Sequence, residues 1–429
     1  MKYYAVLLMF ACCLLLGAAK PEPVTLSVRC DKDIPRYACQ EEAGFIIRAT
    51  RDDKPVSDIV CHYSLKYAGR PRQVIRRGTV ELKNGTAVIR GTLAEPGFLF
   101  CMAWLEGGKP NNQSMAGAAF EPEKIRVATT EPADFDAFWQ DGLKRQAACP
   151  PVQLQKLDKW SNDRYTTYLV IVPVIDGTSL YGYLTEPNAP DKYPAVVHLP
   201  GAGAGHNQPL LEWIDRDVIS LRMNVHAFRP ADSNEELKQQ YRDAYGKINY
   251  LRHNTTDPEK HIYRRVHLGI SRAIDFVASR PNYDGKHFVS YGSSQGGTLG
   301  FAQAALNKHL TAVAGMVPGF GDHAGYLLGR SNSHLLILNE ENPENLAKAL
   351  HTAGYYDSAI FARRVTIPAL LSAGYIDQTC TPASVYAIYN ELRGGKRMID
   401  SPRGPHALLP EVRREMVDFV AAHLGLKNK

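Results

Sequence analysis

Two textures in one chain predict its fold class: a small all-β sandwich followed by an α/β unit with a mostly parallel sheet covered on both faces. Between residues 24 and 120, short β-rich runs follow one another with turn signals and no helix between them. After residue 132, strand-like and helix-like runs alternate, the pattern that lays crossover helices on both faces of a parallel sheet. A third observation lies inside the second texture. The pentapeptide Gly292-Ser293-Ser294-Gln295-Gly296 sits between a strand-like and a helix-like run. At 429 residues and 45% hydrophobic content the chain is long and apolar enough for two packed units.

The N-terminus carries Lys2, an apolar stretch over 5–16 and the small residues Gly17, Ala18 and Ala19. Together these read as a secretory signal peptide over 1–19 with cleavage after Ala19. The stretch is short for a membrane span, and no later run approaches ~18 uninterrupted apolar residues. A secreted or periplasmic protein without a membrane span is the expectation. Six cysteines remain after cleavage: Cys30, Cys39, Cys61, Cys101, Cys149 and Cys380. In an oxidising compartment Cys30 with Cys39, or Cys61 with Cys101, are candidate disulfides, and free buried thiols are the alternative.

Strands are expected at 24–28, 44–50, 59–66, 74–82, 86–92 and 98–105, giving a sandwich of immunoglobulin-like type over 20–120. Asn84-Gly85 between two of these runs suits a two-residue hairpin turn, where both central residues need positive φ. Trp104, Tyr63 and Tyr67 are either core residues of the sandwich or a glycan-binding surface, and the general burial of aromatics favours the core. Residues 121–131 read as a linker. From Pro132 a capped helix runs towards Arg145 and opens a catalytic unit over 132–429. Its strands are expected at 165–172, 180–184, 195–199, 224–228, 286–291, 310–317 and 369–373. Val266, Ile270, Ala273, Ile274 and Val277 recur at helical spacing, so this helix packs an apolar stripe on the sheet.

The chemistry starts at Ser294. A sharp strand-to-helix turn presents its serine at a crowded apex, which requires small neighbours, and Gly292, Gly296 and Gly297 supply them. A serine hydroxyl needs a base to take its proton and a carboxylate to orient that base. In α/β-hydrolases these follow in the order Ser, Asp or Glu, then His, each on a loop after a strand. Asp377 follows the apolar run ending at Ala373, and His406 follows a strand-like run through a Pro/Gly-rich loop. Asp400 is nearer His406 in sequence, and Asp322-His323 also follows a strand, so both compete for a place at the site. The oxyanion of an acyl-transfer intermediate needs two N–H donors. Gln295, directly after the nucleophile, is one, and Ala202 in the Gly-rich loop 200–205 is assigned as the other. That loop lacks the Lys-Ser/Thr ending of a phosphate-binding loop and the spacing of a dinucleotide site.

From about Pro132 onward the chain resembles the acetyl xylan esterase and cephalosporin C deacetylase family, carbohydrate esterase family 7. The matching pieces are Asp134-Phe135-Asp136-Ala137-Phe138-Trp139, Ser293-Ser294-Gln295-Gly296-Gly297 and Gly374-Tyr375-Ile376-Asp377-Gln378-Thr379-Cys380-Thr381-Pro382. Val385-Tyr386-Ala387-Ile388-Tyr389-Asn390 and Pro405-His406 complete them. The resemblance implies an α/β-hydrolase fold, a triad of Ser294, Asp377 and His406, oxyanion donors at Gln295 and Ala202, and a homo-oligomer. Three places depart from the family. Pro200-Gly201-Ala202 stands where the family has His-Gly-Tyr. Arg229-Pro230-Ala231-Asp232 is matched to its Arg-Gly-Gln-Gly, and Pro405-His406-Ala407 to its Gly-His-Glu.

The expected activity is a serine esterase that removes O-acetyl groups from xylan or xylo-oligosaccharides through an acyl-enzyme. No metal or cofactor is expected, because neither the histidines nor the cysteines fall into a ligand motif. A net charge of +6, without a basic run interleaved with aromatics, gives no reason to expect a nucleic acid. A serine peptidase or an esterase of broader acyl specificity is the alternative within enzymes. A non-catalytic glycan-binding protein is the alternative outside them, and an intact triad argues against it.

Overall fold

Alternation along the strand Tyr193–Leu199 shows how the α/β unit is assembled. Ala195, Val197 and Leu199 belong to one apolar core and Val196 to the opposite one, so the strand is buried on both faces. The same split recurs in the strand Tyr283–Ser293, where Phe288 enters the first core while Val289 and Tyr291 enter the second. The computed structural model describes residues 23–67, 74–106, 113–246, 250–330 and 343–426. The signal peptide expected over 1–19 lies outside the described residues.

The sheet has nine strands, in the spatial order Gln153–Lys156, Tyr165–Pro173, Ser179–Pro187, Ile219–Met223, Tyr193–Leu199, Tyr283–Ser293, Ala312–Met316, Ala369–Gly374 and Lys396–Ser401. The first three pairings are antiparallel, and every pairing from Ile219–Met223 onward is parallel. On one face lie the helices Phe135–Ala147, Ile262–Ala278 and Gln295–Leu306. Val266, Ile270, Ala273, Ile274 and Val277 are all buried there, so the apolar stripe faces the sheet as its spacing predicts. Each large aliphatic in that stripe contributes about 1.5–3 kcal/mol of burial. The helix Pro410–His423 covers the other face through Val412, Met416 and Val420. This layering is that of an α/β-hydrolase, preceded here by a β region.

One strand expectation is displaced. Residues 224–228 are not a strand; the pairing ends at Met223, opposite Gly182. Asn224 then turns the chain away, because its side chain bonds both the N–H (2.7 Å) and the carbonyl (2.9 Å) of His206. The positions that follow this strand are therefore 224–228, and Arg229 instead reaches Gln155 at the surface.

In the N-terminal region one sheet holds Thr25–Cys30, Ala43–Arg51, Lys54–Pro55 and Thr86–Gly91. The other is ordered Arg36–Tyr37, Gln113–Phe120, Gly97–Leu105, Ile59–Tyr67 and Val74–Leu82. Asn84 (φ 49°) and Gly85 (φ 67°) make the turn with both residues at positive φ. The strands it joins share only the Lys83–Thr86 bridge before diverging into opposite sheets. All six described cysteines are free. Register excludes Cys61–Cys101: Cys61 stands opposite Leu105 and Cys101 opposite Leu65. That offset of four residues is about 13 Å along a strand, beyond disulfide reach. Cys30 donates to the Gly117 carbonyl, and burial pushes its thiol and that of Cys101 up to about 12. Tyr63 and Tyr67 pack against the sandwich core, and Trp104 stacks on His62 at 5.7 Å.

Candidate active site

Ser294 occupies the joint between the strand Tyr283–Ser293 and the helix Gln295–Leu306, with φ 56° and ψ −124°. Such a backbone costs a non-glycine residue about 1–3 kcal/mol and persists only where the surroundings hold it. Here the Ser294 N–H donates to the Met316 carbonyl of the neighbouring strand at 2.9 Å. A β-carbon at Gly296 would overlap the Leu199 carbonyl oxygen, so the turn requires glycine there.

His406 brings Nε2 to 3.1 Å from the Ser294 hydroxyl and Nδ1 to 2.8 Å from Asp377 Oδ2. Asp377 is fully buried, and its other oxygen accepts the Thr379 and Cys380 N–H groups at 2.7 and 2.9 Å. With Nδ1–H donating to the carboxylate, Nε2 is left as the acceptor that faces the serine. The other carboxylates are engaged elsewhere. Asp400 accepts from Arg36 and Tyr386, each at 2.8 Å. Asp322 accepts the Ala128 and Thr129 N–H groups and pairs with Arg330, while the His323 N–H donates to Asp357. Burial, and then the neighbouring Asp357, pushes the Asp322 carboxyl up to about 6. Cys380 places Sγ 3.7 Å from Ser294 Oγ, and burial raises its thiol to about 12, so it stands beside the hydroxyl as a neutral group.

The loop 200–206 passes over the elbow, with Pro200 against Gly296 and Gly201 against the Ser293 carbonyl. Among the described residues, neither the Gln295 N–H nor the Ala202 N–H donates to a protein acceptor. Three side chains hold this loop. Gln295 Nε2 donates to the Pro200 and Gly201 carbonyls (3.2 and 3.3 Å), while its Oε1 accepts from the Tyr250 and Tyr263 hydroxyls. His226 Nε2 donates to the Gly203 carbonyl at 2.6 Å, with Nδ1 3.0 Å from the Tyr245 hydroxyl. Burial lowers the His226 imidazole to about 4, so the ring is neutral and one nitrogen can donate while the other accepts. Asn224 brackets His206 from the far end of the loop.

A model of the acetyl xylan esterase family (AXE1) matches residues 121–423. The chain belongs to that family. It is also 34% identical over 337 residues to the acetyl esterase Axe7A of Xylanibacter ruminicola, covering 77% of this chain and 75% of that relative. Two solved acetyl xylan esterases share the fold, each with a TM-score of 0.62. That of Thermoanaerobacterium sp. JW/SL YS485 is 20% identical, covering 71% of this chain and 98% of its own. That of Paenibacillus sp. R4 is 24% identical, covering 70% and 98%. Family membership makes this acetyl xylan esterase relative a carboxylic ester hydrolase.

Within the family framework, Ser294, Asp377 and His406 are brought into one chain of hydrogen bonds, and Gln295 and Ala202 into the turn and loop beside it. Sequence reasoning missed the side-chain work of Gln295, His226, Asn224, Tyr250 and Tyr263. The signal for two of them was present: polar Asn224 and His226 interrupt the apolar residues that continue past Met223. Among the described residues no group of three or more His, Cys, Asp or Glu is arranged to hold a metal.

Proposed function

We propose that the chain is an exported serine esterase that removes O-acetyl groups from xylan or xylo-oligosaccharides through an acyl-enzyme. The observation that carries the mechanism is the continuous Ser294–His406–Asp377 hydrogen-bond chain, with a buried, doubly bonded carboxylate at its end. Ser294 Oγ attacks the acetyl carbonyl as His406 Nε2 takes its proton. Asp377 holds the tautomer and stabilises the imidazolium. The oxyanion is received by the N–H groups of Gln295 and Ala202, each worth about 3–4 kcal/mol in the transition state. His406 then protonates the leaving sugar oxygen and next activates water, which releases acetate and restores the serine.

The apolar N-terminal stretch, with Lys2 before it and small residues after it, supports export. The family and the acetyl esterase relative support an acetylated carbohydrate as substrate. Ala202 occupies the loop position where the resemblance has tyrosine, which supports an acyl pocket wider than acetate needs. The test is acetate release from acetylated xylo-oligosaccharides beside a chain-length series of aryl esters. Ser294→Ala is expected to lower kcat on the order of 10⁴–10⁶-fold with the fold retained. Release of longer acyl groups with no acetate from any acetylated sugar overturns the substrate assignment.

A further inference from the structure

The loop 374–381, which carries Asp377, is held from two sides. On the hydrolase side it is bonded to the segment that leads to His406: the Tyr375 N–H donates to the Ser401 carbonyl at 3.0 Å, and the Ile376 N–H to the Gly404 carbonyl at 3.2 Å. On the other side stands the N-terminal sandwich. Gly117, on the strand Gln113–Phe120, lies so close to Tyr375 that any β-carbon would overlap the Tyr375 carbonyl oxygen. Phe98 meets the Tyr375 ring edge-on at 5.1 Å and packs on Tyr386 at 5.6 Å. Phe98, Phe100 and Ala119 share one apolar core with Leu371, Ala373 and Tyr375.

Two polar contacts flank this core. Lys66, 8% exposed at the end of the strand Ile59–Tyr67, donates to Gln378 Oε1 at 3.0 Å, one residue beyond Asp377. Arg36 reaches Asp400, on the strand that feeds the His406 loop, at 2.8 Å, and Tyr386 on the helix Pro382–Glu391. Burying an ammonium against a neutral amide is costly, and burial lowers the Lys66 pKa accordingly. A methionine would fill the same space without that cost. The contribution of Lys66 is therefore directional: it holds the Gln378 side chain.

We infer that the N-terminal sandwich is a positioning element for the acid–base half of the triad, acting on the Asp377 loop through Lys66 and Gly117. The inference rests on Ser294, His406 and Asp377 acting as proposed above. The nucleophile and the oxyanion loop are held separately, by Gln295, His226 and Asn224. Displacing the Asp377 loop turns the His406 imidazole away from the serine without touching the ester-binding groups. The loss therefore falls on kcat and not on KM. Misplacement by about 1 Å costs up to about a hundredfold in rate.

The test uses the full chain, a small aryl acetate, and two readouts. One is the split between kcat and KM. The other is the downfield proton resonance of the His406 Nδ1–H held by Asp377. Lys66→Met is expected to lower kcat about tenfold with KM within about twofold, and to broaden or shift that resonance. Lys66→Arg, which keeps a cationic donor, restores both. Gly117→Val wedges the loop and lowers kcat further, towards a hundredfold. Where Gly117→Val does not fold, the cycle of Lys66→Met with Gln378→Leu decides: the double variant loses no more than either single one. Folded variants with wild-type kcat and an unchanged resonance overturn the inference. So does a Lys66→Met effect confined to KM on acidic, uronate-bearing acetylated oligosaccharides, because that makes Lys66 a substrate contact. Wild-type inactivity on acetylated xylan leaves this experiment intact, whereas aryl acetate hydrolysis that survives Ser294→Ala removes the reading beneath it.

Discussion

Gln295 carries two demands at once: its N–H opens the helix behind the nucleophile, and its side chain ties the loop 200–206 to two tyrosines. Gln295→Leu keeps the backbone donor and removes the tie. It also removes the acceptor that the Tyr250 and Tyr263 hydroxyls share, at a cost of about 1–3 kcal/mol. We expect kcat/KM on an aryl acetate to fall about tenfold or more, with a lower urea midpoint. Unchanged kinetics in a destabilised protein would show that the loop holds itself. At this scale the triad was legible because each member follows a strand in a fixed chain order. The side-chain role of Gln295 was not, because its hydroxyl partners lie 32 and 45 residues upstream and nothing local links them.

Among the elements, the helix Ile262–Ala278 was the easiest to read, since its apolar stripe has one period and one destination. Ile270→Ala at the centre of that stripe is expected to cost about 2–5 kcal/mol in chemical denaturation, with kcat per folded molecule retained. A smaller cost would mean that the core closes over the gap. The strand Gln113–Phe120 was overlooked for the opposite reason. Its Ala-Gly-Ala-Ala centre offers no bulky alternation, because those positions lie under other backbone and side chains. The strand expected at 224–228 fell five residues late, since apolar residues continue past Met223 and the Asn224 bonds that end the pairing are tertiary.

At the scale of the whole molecule, five histidines with desolvated imidazoles among the described residues shape the response to acid. Burial lowers His206, His261 and His267 to about 3 and His226 to about 4, and His198 well below its ordinary value. Unfolded, each titrates near 6.5, so the stability they contribute is complete above that pH and is lost as pH falls towards 4. Asp322, raised to about 6, and Asp357, raised by burial, act in the opposite sense: their contribution is greatest below the ordinary carboxylate range and declines as pH rises through their folded values. Five groups against two predict net destabilisation between pH 6.5 and 4. Each fully engaged histidine contributes about 1.4 kcal/mol per pH unit. Urea midpoints at pH 7, 6 and 5 should fall in that order, and a flat series would contradict it.

The core that Phe98 and Ala119 share with Tyr375 and Leu371 also bears on how such a chain is cut and recombined. A boundary drawn at residue 120 from sequence texture passes through packed side chains, so a graft made there exposes apolar surface on both pieces. A transplanted hydrolase half must bring its own cover for Tyr375, Tyr386 and Asp400, or a sandwich already fitted to them. For this chain the unit of exchange is the pair.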